Sequence, residues 1–189
     1  MRRVTLVLGG ARSGKSRHAE ALARDHKGRR IYVATAEIID EEMRQRIALH
    51  REQRAPGWET LEVPLDLAEA LGAVDHPKSF VLVECITIWI NNLMYHGEDV
   101  AGEVQRLCEL LPKLKGRIVL VSNEVGLGIV PDNALARAFR DEAGRANQAL
   151  AAVADEVVFV AAGLPLALKK PKPAARRKPS TASKSARRG

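Results

Sequence analysis

Aromatic side chains are scarce in this sequence: Phe, Tyr and Trp together make up 4% of its 189 residues. A core built from such a chain is aliphatic and alanine-rich, and the hydrophobic fraction of 46% is ample for one compact domain. Cysteine is nearly absent as well. Cys85 and Cys108 form no metal-type spacing, so the expectation is two reduced, mostly buried thiols, with one disulfide as the formal alternative. Long apolar runs are missing: no window approaches the ~18 residues of a membrane span. Met1-Arg2-Arg3 leads into only the short run Val4–Leu8 before Gly9, so no secretory signal peptide is expected. The expected location is cytoplasmic.

Acidic residues are lacking from 169–189, where Lys169, Lys170, Lys172, Arg176, Arg177, Lys178, Lys184, Arg187 and Arg188 contribute nine positive charges. Because the whole chain carries only +7, residues 1–168 carry a net −2. The high pI therefore belongs to a tail and is no signature of a nucleic-acid-binding domain. The tail is rich in Pro, Ala, Ser, Lys and Arg, without large apolar residues. It cannot bury enough surface to offset its ordering entropy and is expected to be disordered. The division expected is a domain over 1–168 and a basic tail over 169–189, which leaves nucleic acid at most a weak contact with the tail.

What is present is a repeated pattern. Short β-branched runs recur at Val4–Leu8, Ile31–Thr35, Phe80–Glu84, Ile118–Ser122 and Val157–Ala161. They are apolar on consecutive positions, as parallel strands buried on both faces are. Helical segments are expected between them at Lys15–His26, Glu37–Arg54, Leu65–Leu71, Ile86–Tyr95, Val100–Leu111 and Asp132–Val153. In the last, Leu135, Phe139, Ala143, Ala146, Leu150 and Val153 fall three or four apart and predict one buried stripe, with Pro131 suited to the first turn. Alternating strands and helices imply βαβ units and a doubly wound, mostly parallel α/β sheet.

The first strand runs into Gly9-Gly10-Ala11-Arg12-Ser13-Gly14-Lys15-Ser16, which matches G-x-x-x-x-G-K-[ST] in the strand–loop–helix context that the motif requires. Glycines let consecutive N–H groups turn inward onto phosphate oxygens. Lys15 is expected to neutralise β/γ-phosphate charge, and the Ser16 hydroxyl to ligate Mg²⁺. Glu84 ends an otherwise apolar strand, which places a carboxylate at the carboxyl edge of the sheet near that ion.

His50 stands among Arg46, Arg51 and Arg54. On the residues alone it is either a surface histidine or a nucleophile. The cations suit phosphate and favour the free imidazole. His18, His26, His76 and His96 have no comparable setting.

Taken together these blocks resemble the bifunctional adenosylcobinamide kinase/adenosylcobinamide-phosphate guanylyltransferase family of cobalamin biosynthesis. The likeness covers about residues 4–168 and rests on Gly9–Glu20, Tyr32–Ala36, Asp40–Met43, Arg46–His50, Trp58–Glu62, Glu84–Thr87, Asn91–Leu93, Ser122–Pro131, Leu135–Asp141 and Gly144–Gln148. It implies a RecA-like P-loop NTPase fold, Mg²⁺, and GTP and ATP as substrates. One implied reaction phosphorylates the aminopropanol hydroxyl of adenosylcobinamide. The other carries GMP from GTP on His50 to adenosylcobinamide phosphate, giving adenosylcobinamide-GDP. The resemblance also implies nucleotide contacts at Ala34, Thr35, Ala36, Arg51, Glu52, Gln53, Arg54, Glu62 and Glu84, and a homotrimer. One of Glu62 and Glu84 is expected to accept the N1–H and N2–H₂ of guanine, a donor pair adenine lacks. The loop Asn123–Gly128 serves either substrate binding or subunit contact, or is a tight strand-to-helix connection.

The chain departs from the family pattern after the histidine, where Arg54-Ala55-Pro56 replaces the usual Arg-Pro. Two rival readings remain: a P-loop small-molecule kinase without nucleotidyl transfer, and a nucleic-acid-binding P-loop ATPase.

Overall fold

The computed structural model describes residues 3–37, 41, 44–45 and 56–170. Seven strands form one sheet in the order β3-β2-β4-β5-β1-β6-β7. They are β1 (Val4–Gly9), β2 (Arg29–Ala34), β3 (Glu59–Glu62), β4 (Ser79–Glu84), β5 (Arg117–Asn123), β6 (Glu156–Ala161) and β7 (Leu164–Lys169). All neighbouring strands are parallel except β6 and β7, which form an antiparallel hairpin. The five apolar runs are the five inner strands, and their consecutive hydrophobics are buried on both faces as expected.

Alternation along the strands divides the core in two. Leu6, Leu8, Ile31, Val33, Val81, Val83, Ile118 and Leu120 face four helices: α2 (Leu67–Val74), α3 (Ile86–His96), α4 (Val100–Leu110) and α5 (Ala134–Val153). Val7, Tyr32, Phe80, Leu82, Val119, Val121, Val158 and Val160 face the other way, against α1 (Lys15–Ala21) through Ala19 and against Ala23 and Trp58. Local chemistry sets the helix limits. Asp99 and Asn133 accept from the N–H groups of Gly102 and Ala136 at the starts of α4 and α5. Gly97, at φ 72, ends α3.

Several expectations are corrected. Helix α1 stops at Ala21, short of His26, because the chain tightens into three-residue turns (Leu22 N–H to Ala19 O, Ala23 to Glu20, Arg24 to Ala21). Leu135 is 73% exposed and does not join the stripe that buries Ala143, Ala146 and Leu150. Periodicity gives the face of a helix but not how much of its length overlies the sheet, and the first turn of α5 continues an exposed stretch that begins at Gly126. Strands β3 and β7 are absent from the sequence-based element set. Lys169, read there as the first tail residue, closes β7 and donates from Nζ to the carbonyls of Ala151 and Ala152. Residues 171–189, and most of the predicted helix Glu37–Arg54, lie outside the described residues; Glu41, Arg44 and Gln45 within that stretch are helical.

Candidate active site at the carboxyl edge of the sheet

Strand β1 lies between β5 and β6, and its last residue, Gly9, is level with Asn123 and Val160. A Cβ on Gly9 would stand 2.5 Å from the Val160 carbonyl oxygen and from Ser13 Oγ, so only glycine lets the chain turn there. The loop then closes on itself: Ser13 N–H donates to Gly10 O at 3.3 Å. Arg12 and Gly14 adopt left-handed conformations, with φ 54 and 94. Ala11 and Arg12 are exposed. Lys15, the first residue of α1, is only 8% exposed and extends its ammonium back along the loop, 3.4 Å from Gly10 O. This holds a buried ammonium against the backbone of the loop.

Glu84 ends β4, level with Ala34 on β2 and Val121 on β5, and its Oε1 accepts from Ser16 Oγ at 2.9 Å. These residues are 68 positions apart in sequence and are brought together by parallel strands that end at one edge. Glu62 ends β3 on the opposite side of Ala34 and is exposed. The two acids thus flank the carboxyl end of β2.

Thr35 turns out to be a brace. Its buried hydroxyl accepts from Cys85 N–H and donates to Cys85 O, both at 2.8 Å. Asn92 Nδ2 donates to Thr35 O at 2.7 Å. The Thr35 N–H in turn donates to Glu84 O at 3.0 Å, so its backbone is tied to the end of β4 and to α3 as well. The other sequence-predicted residues, His50, Arg51, Glu52, Gln53 and Arg54, lie outside the described residues.

A second support went unread in the sequence. Asn123 N–H donates to Thr87 Oγ1 at 2.6 Å, Thr87 pairs with Ser122 Oγ at 3.1 Å, Ser122 donates to Asn147 Oδ1 at 2.7 Å, and Asn147 Nδ2 donates to Asn123 O at 3.2 Å. Because Ser122 spends its proton on Asn147, Thr87 must donate to Ser122. The ring then closes with every bond running one way. It fixes the end of β5 beside the loop, where Glu124 N–H also donates to Gly9 O. The signal available was Asn147 itself, a polar residue four after Ala143 and three before Leu150 on the buried face of α5.

Burial, with the Glu84 charge adding to it, pushes the Cys85 thiol up to about 11. Cys108 is also raised by burial. Both are free thiols, and neither is a thiolate nucleophile near neutral pH. His26, His76 and His96 make contacts within the fold. His26 Nε2 contacts Lys78 O at 2.9 Å, His76 Nδ1 accepts from Lys78 N–H, and His96 Nε2 lies 3.1 Å from Glu37 Oε2.

A family model described as cobinamide kinase / cobinamide phosphate guanyltransferase matches residues 5–168. The chain belongs to this family. Among relatives, the bifunctional adenosylcobalamin biosynthesis protein CobP of Pseudomonas aeruginosa is 48% identical over 166 residues, covering 87% of this chain and 96% of that one. The corresponding CobU of Escherichia coli is 44% identical over 179 residues, covering 87% and 98%. A solved structure, PH0250 from Pyrococcus horikoshii OT3, has a TM-score of 0.55 at 11% identity over 90% of this chain and 87% of its own; that likeness is one of fold. The chain is thus a bifunctional cobinamide kinase and cobinamide phosphate guanylyltransferase, built on a RecA-like α/β fold. Among the described residues no helix is long and apolar enough to cross a membrane.

Proposed function

We propose that Gly9–Ser16 binds the phosphates of ATP and GTP and that both family reactions are organised around this loop, in the cytoplasm. The observation that carries the reading is the Ser16–Glu84 pair at 2.9 Å, beside the buried Lys15. A hydroxyl and a carboxylate at one point are hard oxygen donors of the kind that suit Mg²⁺, which takes one or two protein oxygens and completes its shell with water and phosphate. Bound there, the ion supplies charge neutralisation on the phosphate oxygens. Lys15 contributes further positive charge to the same oxygens.

In the kinase step the aminopropanol hydroxyl oxygen of adenosylcobinamide bonds to the γ-phosphorus. The bond from that phosphorus to the β-phosphate oxygen breaks, a nucleoside diphosphate leaves, and the hydroxyl proton is released. In the guanylyl step an imidazole nitrogen of His50 attacks the α-phosphorus of GTP and pyrophosphate leaves. An oxygen of adenosylcobinamide phosphate then displaces the imidazole, giving adenosylcobinamide-GDP. His50 is assigned from the family resemblance, with Arg51, Glu52, Gln53 and Arg54 as nucleotide contacts. Glu62, exposed at the end of β3 beside Ala34, is the candidate to accept the guanine N1–H and N2–H₂.

The family resemblance also supports a homotrimer. In keeping with it, Leu164, Leu166 and Leu168 on the edge strand and Leu127, Ile129 and Val130 in the loop before α5 are all more than half exposed, as residues at a subunit contact can be.

Incubation with α-labelled GTP and Mg²⁺, followed by denaturing electrophoresis, tests the reading. Acid-labile label is expected on the wild type and absent from His50→Ala, and Glu62→Gln is expected to lose the preference for GTP over ATP as label donor. A wild-type protein that phosphorylates adenosylcobinamide but takes no label would reduce the function to that of a kinase alone. A Glu62→Gln variant with unchanged preference would return the guanine contact to Glu84.

A further inference from the structure

The hairpin turn between β6 and β7 consists of Ala162 and Gly163, because Ala161 and Leu164 pair across it. Both turn residues are left-handed, at φ 51 and 79, which is the geometry of a type I′ turn. The N–H of the second turn residue has no place in the hairpin ladder. Here Gly163 N–H donates to the Ser13 carbonyl of the phosphate loop at 2.8 Å. The contact is backbone against backbone: a Cβ on Gly14 would stand 3.1 Å from Gly163 Cα.

The Ser13 carbonyl and the Gly14 N–H belong to one planar trans peptide and point in opposite directions. Holding the carbonyl on the hairpin therefore turns the Gly14 N–H to the other side of the loop, the side on which a nest of N–H groups receives phosphate oxygens. Released from Gly163, that peptide is free to flip and present a carbonyl oxygen, which repels phosphate.

We propose that Gly163 is a positioning residue for both reactions, its N–H fixing the Ser13–Gly14 peptide so that Gly14 presents a donor to the nucleotide. The proposal deepens the nucleotide-loop reading and rests on it. It gives the edge hairpin, which lies outside the motif by more than a hundred residues of sequence, a direct hold on the loop.

The test compares Gly163→Val, Gly163→Asn and a strain-matched control, Gly97→Val, in the full chain. Gly97 is left-handed at φ 72, caps α3 and has no part in the loop, so both valine substitutions carry a similar backbone penalty. GTP affinity is measured by equilibrium dialysis and unfolding midpoints without nucleotide. The Gly14 amide resonance is followed in ¹⁵N-labelled protein. Gly163→Val is expected to weaken GTP binding by about tenfold or more, and Gly97→Val by less than about threefold, at comparable losses of midpoint. Gly163→Asn keeps both the N–H and a tolerated left-handed backbone, and its Cβ meets nothing within 4 Å. It is expected to bind GTP within about threefold of wild type. The Gly14 resonance should move in Gly163→Val and stay in Gly97→Val.

GTP affinity in Gly163→Val equal to that of the control, an unmoved Gly14 resonance, or Gly163→Asn as weak as Gly163→Val would each overturn the proposal. If Gly163→Val does not fold, Gly163→Ala against Gly97→Ala decides by the same comparison. A wild type that binds no GTP would remove the nucleotide-loop reading itself and this inference with it.

Discussion

Single residues at this edge divide by what surrounds them. Glu84 sits 2.9 Å from Ser16 Oγ, and Glu84→Gln keeps the shape while removing the charge. It is expected to lower kcat of the Mg²⁺-dependent kinase step on the order of 100-fold, with the affinity for GTP measured without Mg²⁺ unchanged. Cys85, one position on, is inert by burial. Its thiol rises from 9.0 to about 11 in the fold, so the folded protein favours the neutral form. Its contribution to stability is complete below pH 9 and is lost as pH rises from about 9 towards 11, by roughly 2–3 kcal/mol in all. Thermal unfolding of wild type and Cys85→Ala between pH 8 and 11 is expected to show the wild type losing stability more steeply. Iodoacetamide should leave Cys85 unlabelled at pH 7.5 until the protein unfolds. At this scale the sequence located Lys15 and Ser16 at the start of α1, because the motif is local. It carried no sign of the bonds from the Thr35 hydroxyl to the Cys85 backbone, whose residues lie 50 positions apart.

Among the elements, the inner strands and the helices from α3 onward were legible because each obeys a local rule: a continuous apolar run for a strand buried on both faces, a three-to-four spacing for a helix with one buried face. The edge strands obey none. Glu59–Glu62 is held by pairing to β2 and needs little apolar surface. In Leu164–Lys169 the alternating leucines are exposed, and the strand adjoins a stretch whose composition suggests disorder. Helix α5 carries the polar ring through Asn147. Asn147→Leu leaves the Ser122 hydroxyl and the Asn123 carbonyl without these partners. It is expected to cost roughly 2–3 kcal/mol and to lower Tm by roughly 5–10 °C in thermal denaturation. Because the ring fixes the end of β5 beside Gly9, GTP affinity should fall as well.

For the whole molecule, truncation after Lys170 is expected to leave both activities and the oligomeric mass unchanged while abolishing any salt-dependent DNA binding. Activity assays, light scattering and a filter-binding titration check this. A mass of three chains in both proteins would support the trimer, and a shift to monomer on truncation would assign the tail to assembly. The sequence by itself determined the phosphate loop, the buried parallel strands and the family, because each is written in neighbouring residues or in blocks whose order along the chain is distinctive. Only the tertiary structure decided which distant groups meet: Glu84 with Ser16, the one-way ring through Thr87, Ser122 and Asn147, and Gly163 on the Ser13 carbonyl. The reason is that parallel strands bring residues far apart in the chain to one edge. A turn's spare N–H or a buried hydroxyl has no local signature, since its partner is chosen by packing.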